Sequence, residues 1–220
     1  MSNLELVSYA ACPFAQRTRM VLIEKGLDFT LREVDLSNKP AWFDEISPYG
    51  KVPVLRHNGQ TIYESAVINE YLDEAFPEPP LMPASVFERA EARIWMHYCD
   101  AYYLPASSRL SATHQEPDKK AEAVEKLEQA FLFLENEGLR RLSDGPFWFG
   151  KEVTLVDTHY SPFLERFAAY DEIFGVRLPA ACTRLRAWLD AMAARESYTQ
   201  TARGVDAHIA GIRRRLGIAA

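Results

Sequence analysis

Apolar and polar positions alternate from Leu4 to Tyr9, with Leu4, Leu6 and Ser8 on one side and Glu5, Val7 and Tyr9 on the other. That period predicts a short strand. Behind Cys12-Pro13 the period changes, and Phe14, Thr18, Val21 and Leu22 fall at helical spacing. Pro13 suits a first helical position, where its missing N–H costs nothing. Lys25-Gly26 supplies a basic last turn and a stop. A second strand is expected from about Phe29 to Val34, and a strand–helix–strand unit favours parallel pairing. Asp35 to Tyr49, with Pro40 and Pro48, reads as irregular. A strand begins in Val52-Pro53-Val54-Leu55, turns at Asn58-Gly59 and returns through Gln60 to Tyr63. Ser65 is expected to cap a helix carrying Val67, Ile68, Tyr71, Leu72 and Ala75, which stops before Pro77. The order β-α-β, then β-β-α, predicts a small mixed sheet with helices on its faces.

Pro77-Glu78-Pro79-Pro80-Leu81-Met82-Pro83 is too proline-rich for a helix or a central strand and reads as a stiff linker. The expected division is residues 1–77, a linker at 78–84, and an all-helical unit at 85–220. One helical stretch runs from about Ser85 to Leu110 with Ile94, Trp95, Tyr98 and Tyr102 on one side. A second follows Pro117 with Val124, Leu127, Phe131 and Leu134. Gly145 to Gly150 is a loop with three aromatics, and Thr154-Leu155-Val156-Asp157 has the form of a capping box. Pro179 is expected to open a helix carrying Leu185, Trp188, Leu189 and Met192.

The chain has 220 residues, 48% of them hydrophobic, with 25 Lys+Arg against 31 Asp+Glu and a net charge of −6. A chain of this size buries roughly 70–75% of its unfolded surface, so one large or two small cores are available. The mild acidity argues against a nucleic-acid partner bound by phosphate neutralisation. No apolar run approaches the length of a membrane span, and Met1 to Val7 has no basic-then-apolar leader. The three cysteines, Cys12, Cys99 and Cys182, complete no disulfide framework and match no zinc spacing. No metal is therefore expected, and a reducing, cytoplasmic compartment is. Arg213-Arg214-Arg215 reads as a solvated cluster near a helix end.

Cys12 is the informative residue. At the junction of a strand and a helix it stands as the N-cap, where free N–H groups and the helix dipole favour an anion. The thiolate is the nucleophilic form of cysteine. Cys12-Pro13-Phe14-Ala15 resembles the redox motif of thioredoxin-like proteins, but Ala15 stands where a resolving cysteine would be. A dithiol cycle is excluded, and a monothiol must be resolved by an external thiol such as glutathione. Cys99 and Cys182 lie in expected helices and read as packing. His97, His114 and His159 follow no triad or ligand spacing.

Taken together, Cys12 to Arg17, Asn38 to Phe43, Val52 to Leu55, Tyr63 to Ala66 and Glu70 to Glu74 resemble the cytosolic glutathione S-transferases along essentially the whole chain. The likeness is strongest to the cysteine-type branches, the omega class and its bacterial relatives. It implies a thioredoxin-like α/β N-terminal domain joined to an all-α C-terminal domain, with glutathione as co-substrate. It also implies a cis Val52–Pro53 bond, with the Val52 backbone pairing the cysteinyl portion of glutathione. Glu64 and Ser65 match the pair that holds the γ-glutamyl end, by the ammonium and the carboxylate respectively. Lys39 matches a lysine that approaches the glycyl carboxylate, or is a solvated loop lysine. Phe14 stands beside the thiol, as site wall or as core packing.

The second substrate, a small hydrophobic or disulfide compound, would meet a wall drawn from Trp95, Tyr98, Tyr102, Tyr103, Phe163 and Phe167. The Thr154–Asp157 box matches a folding-related cap. The reaction implied is glutathione-dependent thiol transfer or reduction through Cys12, of the kind that includes dehydroascorbate reduction. If Ser8 or Tyr9 were instead the hydrogen-bond donor, ordinary conjugation to small electrophiles would follow. Glu78 to Pro83 with Arg89 to Arg93 also looks like stringent starvation protein A, an RNA-polymerase-associated regulator of the same fold without glutathione chemistry. Family members pair, so a homodimer is expected.

Overall fold

The computed structural model describes residues 3–218. Its first part holds a four-stranded sheet in the order β2-β1-β3-β4. The strands are β1 (Leu4–Ser8), β2 (Thr30–Glu33), β3 (Val54–His57) and β4 (Gln60–Tyr63). β1 and β2 are parallel, Leu6 opposite Leu31, because α1 (Pro13–Glu24) carries the crossover. β3 is antiparallel to both β1 and β4. The β3–β4 turn is Asn58-Gly59 with φ of +50° and +83°, the two positive values that a tight two-residue hairpin requires. α3 (Ser65–Ala75) closes this thioredoxin-like half.

Two local expectations are corrected. The irregular stretch contains a six-residue helix, α2 (Ala41–Ile46), because Phe43 is buried against Val7, Val34 and Val54. Ser65 is not the cap of α3 but its first residue. Glu64 occupies the cap, at φ +70° and ψ 108°, so the corner between β4 and α3 is turned one residue earlier than the serine preference suggests.

The proline-rich segment is tied to the first half from both sides. Asp73 of α3 accepts from the Leu81 N–H at 2.7 Å and the Met82 N–H at 3.1 Å, and Lys25 Nζ donates to Asp73 (2.8 Å) and to the Pro79 carbonyl (2.7 Å). Leu81 is buried, and its carbonyl accepts from the Leu155 N–H at 2.8 Å. The rest is helical: α4 (Val86–Tyr98), α5 (Leu104–Ala112), α6 (Pro117–Phe133), α7 (Arg140–Leu142), α8 (Leu155–Leu164), α9 (Phe167–Phe174), α10 (Thr183–Ala193), α11 (Glu196–Thr201) and α12 (Val205–Leu216). π-helical turns at Cys99–Tyr103 and Leu134–Leu139 interrupt the two longest runs. α10 starts at Thr183, not at Pro179, so Cys182 is its N-cap rather than a residue within a helix. Burial pushes the Cys182 thiol up to about 11. Among the described residues no helix is long and apolar enough to cross a membrane.

One contiguous core runs from β1 through α1 and α8 to the Trp148, Tyr160 and Trp188 cluster. α8 is buried along its entire length, and it packs directly against α1. The face of α1 that leaves the sheet therefore meets the helical domain, and the junction places the start of α1 at the seam between the two.

Candidate active site

The start of α1 is held from three sides. The Cys12 N–H donates to the Tyr9 carbonyl at 2.9 Å, and the Gln16 N–H donates to the Cys12 carbonyl at 2.9 Å. The Ala10 N–H donates to Glu33 at 2.8 Å. Arg19 and Arg166 donate to the carbonyls of Ala10 and Ala11, each at 3.3 Å. Burial pushes both guanidinium groups down from their ordinary range, and the acids near them, Glu33 for Arg19 and Glu165 for both, pull the other way. Cys12 is the N-cap, and its side chain makes no capping bond. The half-buried thiol instead points to the Val52 carbonyl, with Sγ 3.7 Å from the oxygen.

Val52–Pro53 is cis. It forms one wall of a small cleft. Phe14, Val52, Pro53, Glu64 and Ser65 all line it. Tyr49, Lys51 and Tyr63 line it too, and pattern reading did not select them. Lys51 and Tyr63 directly precede Val52 and Glu64, so their place was available by adjacency alone. Lys39 is not in the lining: its ammonium donates to the Gly50 carbonyl at 2.8 Å, one residue behind Lys51. Cys12, Ser8 and Tyr9 do not line the cleft either; Cys12 reaches its wall through the Sγ contact to the Val52 carbonyl. Ser8 is fully buried at the end of β1.

At the other side of the cleft α3 presents its N-terminus. The first intrahelical bond is from Ile68 N–H to the Glu64 carbonyl, 2.8 Å, which leaves the N–H groups of the first turn free for an anion. The positive φ of Glu64 costs on the order of 1–3 kcal/mol for a residue with a Cβ. It aims the strand end and the helix start into one concavity.

Behind Ser65 lies a buried polar cluster that no motif announced. Arg17, only 2% exposed, donates from Nε to Ser65 Oγ at 2.8 Å. Its terminal nitrogens donate to Asp100 Oδ1 at 3.0 Å and Oδ2 at 3.3 Å, and Nη1 lies 2.6 Å from His159 Nε2. Burial, with the Arg17 charge beside it, pushes His159 down to about 4, against the opposing pull of Asp100. Burial would raise the Asp100 carboxyl, but the bonds from His159 and Arg17 outweigh it and hold it well below the usual carboxylate range. Ligand atoms of Cys99, Asp100 and His159 lie within 4.8 Å of one another, and the positive charge at this cluster is the Arg17 guanidinium.

Of the aromatic residues expected to form a second wall, Phe163 meets the site. Its ring packs edge-on against Phe14 at 5.2 Å, with Arg17 over both. Trp95 and Tyr103 are core residues, and Phe167 packs on Phe131. Tyr98 and Tyr102 stack on each other at 5.4 Å on a different face, beside Phe133.

Comparison with known proteins agrees with this geometry. Residues 11–75 match the sequence model of the glutathione S-transferase N-terminal domain, and residues 117–191 that of its C-terminal domain. Glutathione S-transferase L1 of Arabidopsis thaliana is 36% identical over 199 residues, 89% of this chain and 79% of that protein. The chain belongs to the glutathione S-transferase family. Glutathione S-transferase U24 of the same plant is 32% identical over 89% of this chain and 87% of its own. Among solved structures, glutathione transferase Omega 3C from Trametes versicolor superposes with a TM-score of 0.87 at 31% identity, covering 97% of this chain and 90% of that one. Rice GST1 in complex with glutathione gives 0.88 at 31% identity, covering 98% and 97%. In this glutathione S-transferase fold the thiol at the start of α1, the cis-proline and the α3 N-terminus all stand at the same end of the thioredoxin-like sheet.

Proposed function

We propose that this glutathione S-transferase is a cysteine-type, omega-like member that catalyses glutathione-dependent thiol transfer. The Cys12 thiolate attacks the glutathione sulfur of a mixed disulfide. The S–S bond breaks, the second thiol leaves as a thiolate and takes up a proton, and Cys12 is left joined to glutathione. A second glutathione thiolate then attacks the glutathione sulfur of that disulfide, releasing oxidised glutathione and the Cys12 thiolate. In the cleft the γ-glutamyl carboxylate lies on the first turn of α3 and the Ser65 hydroxyl, and its ammonium on Glu64. The cysteinyl portion pairs with the Val52 backbone. The glycyl carboxylate falls to Lys51, with Lys39 behind it.

The observation that carries this reading is the thiol of Cys12 directed at the Val52 carbonyl on the cleft wall, while the Ser8 hydroxyl is buried. The test is glutathione-dependent reduction of a hydroxyethyl mixed disulfide by wild type, Cys12→Ala and Cys12→Ser. Both variants are expected to lose at least about a hundredfold in rate, the scale of a lost activated nucleophile. Oxidised glutathione should add about 305 Da at Cys12 alone. Full activity in Cys12→Ala would remove the thiol mechanism.

Conjugation of glutathione to small electrophiles is the second reading, favoured by the likeness to U24 and to rice GST1. A gain of conjugation in Cys12→Ser would move it to first place. Failure of both assays together with no glutathione binding would favour the regulator reading. A cytoplasmic homodimer belongs to the same proposal. Its support is an apolar face of the helical domain with Ile94, Tyr102 and Phe133 exposed, and sedimentation at micromolar concentration measures it.

A further inference from the structure

We propose that the second substrate carries a carboxylate, and that Arg166, just past the end of α8, receives it beside the Cys12 thiol. The inference rests on the proposed thiol transfer and names the class of its disulfide: glutathione joined to a small acidic thiol.

Arg166 is half-buried at the seam between the domains. Among the described residues its side chain donates only to main-chain carbonyls, that of Pro162 and, at 3.3 Å, that of Ala11, the residue before Cys12. Neither is an anion. Its Nε bonds to nothing and stays open to solvent. A guanidinium in this position has lost part of its hydration, and no carboxylate replaces it. The acids nearby are already engaged. Glu165 accepts from Gln16 Nε2 on one oxygen, and on the other from His208 Nε2 at 2.6 Å and the Arg203 N–H at 3.0 Å. Glu33 accepts from the Ala10 N–H at 2.8 Å and faces Arg19 Nη1 at 3.7 Å. The charge of the exposed Arg203 weighs on Arg19 and Arg166 alike. Three guanidinium groups therefore share two carboxylates around the turn that carries Cys12, and the surplus favours an incoming anion.

The position suits the departing half of the disulfide. In the proposed reaction glutathione fills the cleft along Val52, Glu64 and Ser65, and the helical domain meets that cleft with the end of α8. Phe163, one turn before Arg166, packs on the cleft residue Phe14 at 5.2 Å. The Cys12 thiolate attacks the glutathione sulfur, the S–S bond breaks, and the acidic thiol leaves as a thiolate that takes up a proton. Its carboxylate is paired with Arg166 throughout, on the corner of the guanidinium fork that the protein leaves free.

The experiment compares kcat/KM for three glutathione mixed disulfides of similar size, made with 3-mercaptopropionate, 2-mercaptoethanol and cysteamine. The proteins are wild type, Arg166→Gln and Arg203→Gln. Wild type is expected to prefer the carboxylate over the hydroxyl about tenfold, and the hydroxyl over the amine. Each protein is judged by the ratio of its own rates, so a general loss from freeing the Ala11 carbonyl cancels. Arg166→Gln should bring the carboxylate-to-hydroxyl ratio to within about twofold of unity. Arg203→Gln, at an exposed side chain, should lower it about twofold and carries the test if Arg166→Gln does not fold. A second readout needs no glutathione: alkylation of Cys12 by iodoacetate against iodoacetamide, measured by mass and referred to the same ratio for 2-mercaptoethanol. Wild type is expected about tenfold above that reference and Arg166→Gln close to it. No carboxylate preference in wild type, a preference that survives Arg166→Gln, or an equal fall for all three disulfides would overturn the assignment. Absence of turnover with every disulfide would remove the thiol-transfer reading instead, and the alkylation ratio would still decide whether Arg166 receives a carboxylate beside Cys12.

Discussion

Two helix N-termini in this protein are treated in opposite ways. The start of α8 is closed by the chain itself. Thr154 and Asp157 form a capping box, and the Asp157 carboxylate accepts from the Thr154 N–H (2.8 Å), the Trp148 N–H (2.9 Å) and Trp188 Nε1 (2.7 Å). The start of α3 has a cap residue, Glu64, whose side chain caps nothing, and a serine whose hydroxyl is held from behind. The first is a joint that gathers three segments around a buried anion. The second is left open toward the cleft, at a cost in backbone strain and unpaired N–H groups that a bound anion offsets. Closed termini give stability and open ones give sites.

The comparison is broken most directly at Asp157. Asp157→Ala removes the acceptor of two buried tryptophan N–H groups as well as the cap. A loss on the order of 3–5 kcal/mol is expected, the range for breaking a buried charged network, read as a fall in the denaturant midpoint. The glutathione KM of the protein that remains folded should not change. A loss below about 1 kcal/mol would mean that the box is only a local cap.

The second separation is by acid. His159 is pushed down to about 4. The unfolded chain therefore binds a proton that the folded protein refuses, and stability falls as pH drops from about 6.5 to about 4, on the order of 3 kcal/mol in all. Asp100, held below its ordinary range, adds to the loss once pH passes below the ordinary aspartate value. Asp157 runs the other way. Burial raises its carboxyl, against the bonds from Trp188 and Thr154, so acidification relieves rather than burdens the closed terminus. Chemical denaturation between pH 4 and pH 7 should show the decline in wild type and a flatter profile in His159→Gln. An unchanged slope in that variant would place the acid sensitivity elsewhere.

What was legible in the sequence follows the same division. Asn58-Gly59, Cys12-Pro13 and Thr154 to Asp157 are local signals whose physics is complete within a few residues, and each stands in the structure as its chemistry requires. Ser65 was misplaced by one position because a positive φ at a glutamate is invisible to residue preference. α2 was hidden because its single buried anchor, Phe43, declares itself only against strands distant in the chain. Arg17 was unreadable for the same reason. Its partners lie 48, 83 and 142 residues away, and an arginine on a first helix reads as solvated until the second domain is packed upon it. The place of Cys12 at the start of α1 was thus legible, and the buried polar cluster behind Ser65 was not.

A third N-terminus provides the lower bound of the comparison. α4 begins at the surface, and Ser85 Oγ accepts from the Glu88 N–H at 3.5 Å, a long and exposed bond. Water replaces this bond readily, and no buried group depends on it. Ser85→Ala is therefore expected to cost about 0.5–1 kcal/mol, the low side of the range for cap deletions, with no change in glutathione KM and no change in the acid profile. A thermal melt resolves that shift. A cost near that of Asp157→Ala would mean that helix starts in this protein are stabilised by the cap bond itself. The small value would assign the strength of the α8 terminus to what Asp157 gathers around it, the Trp148 loop and Trp188 of α10.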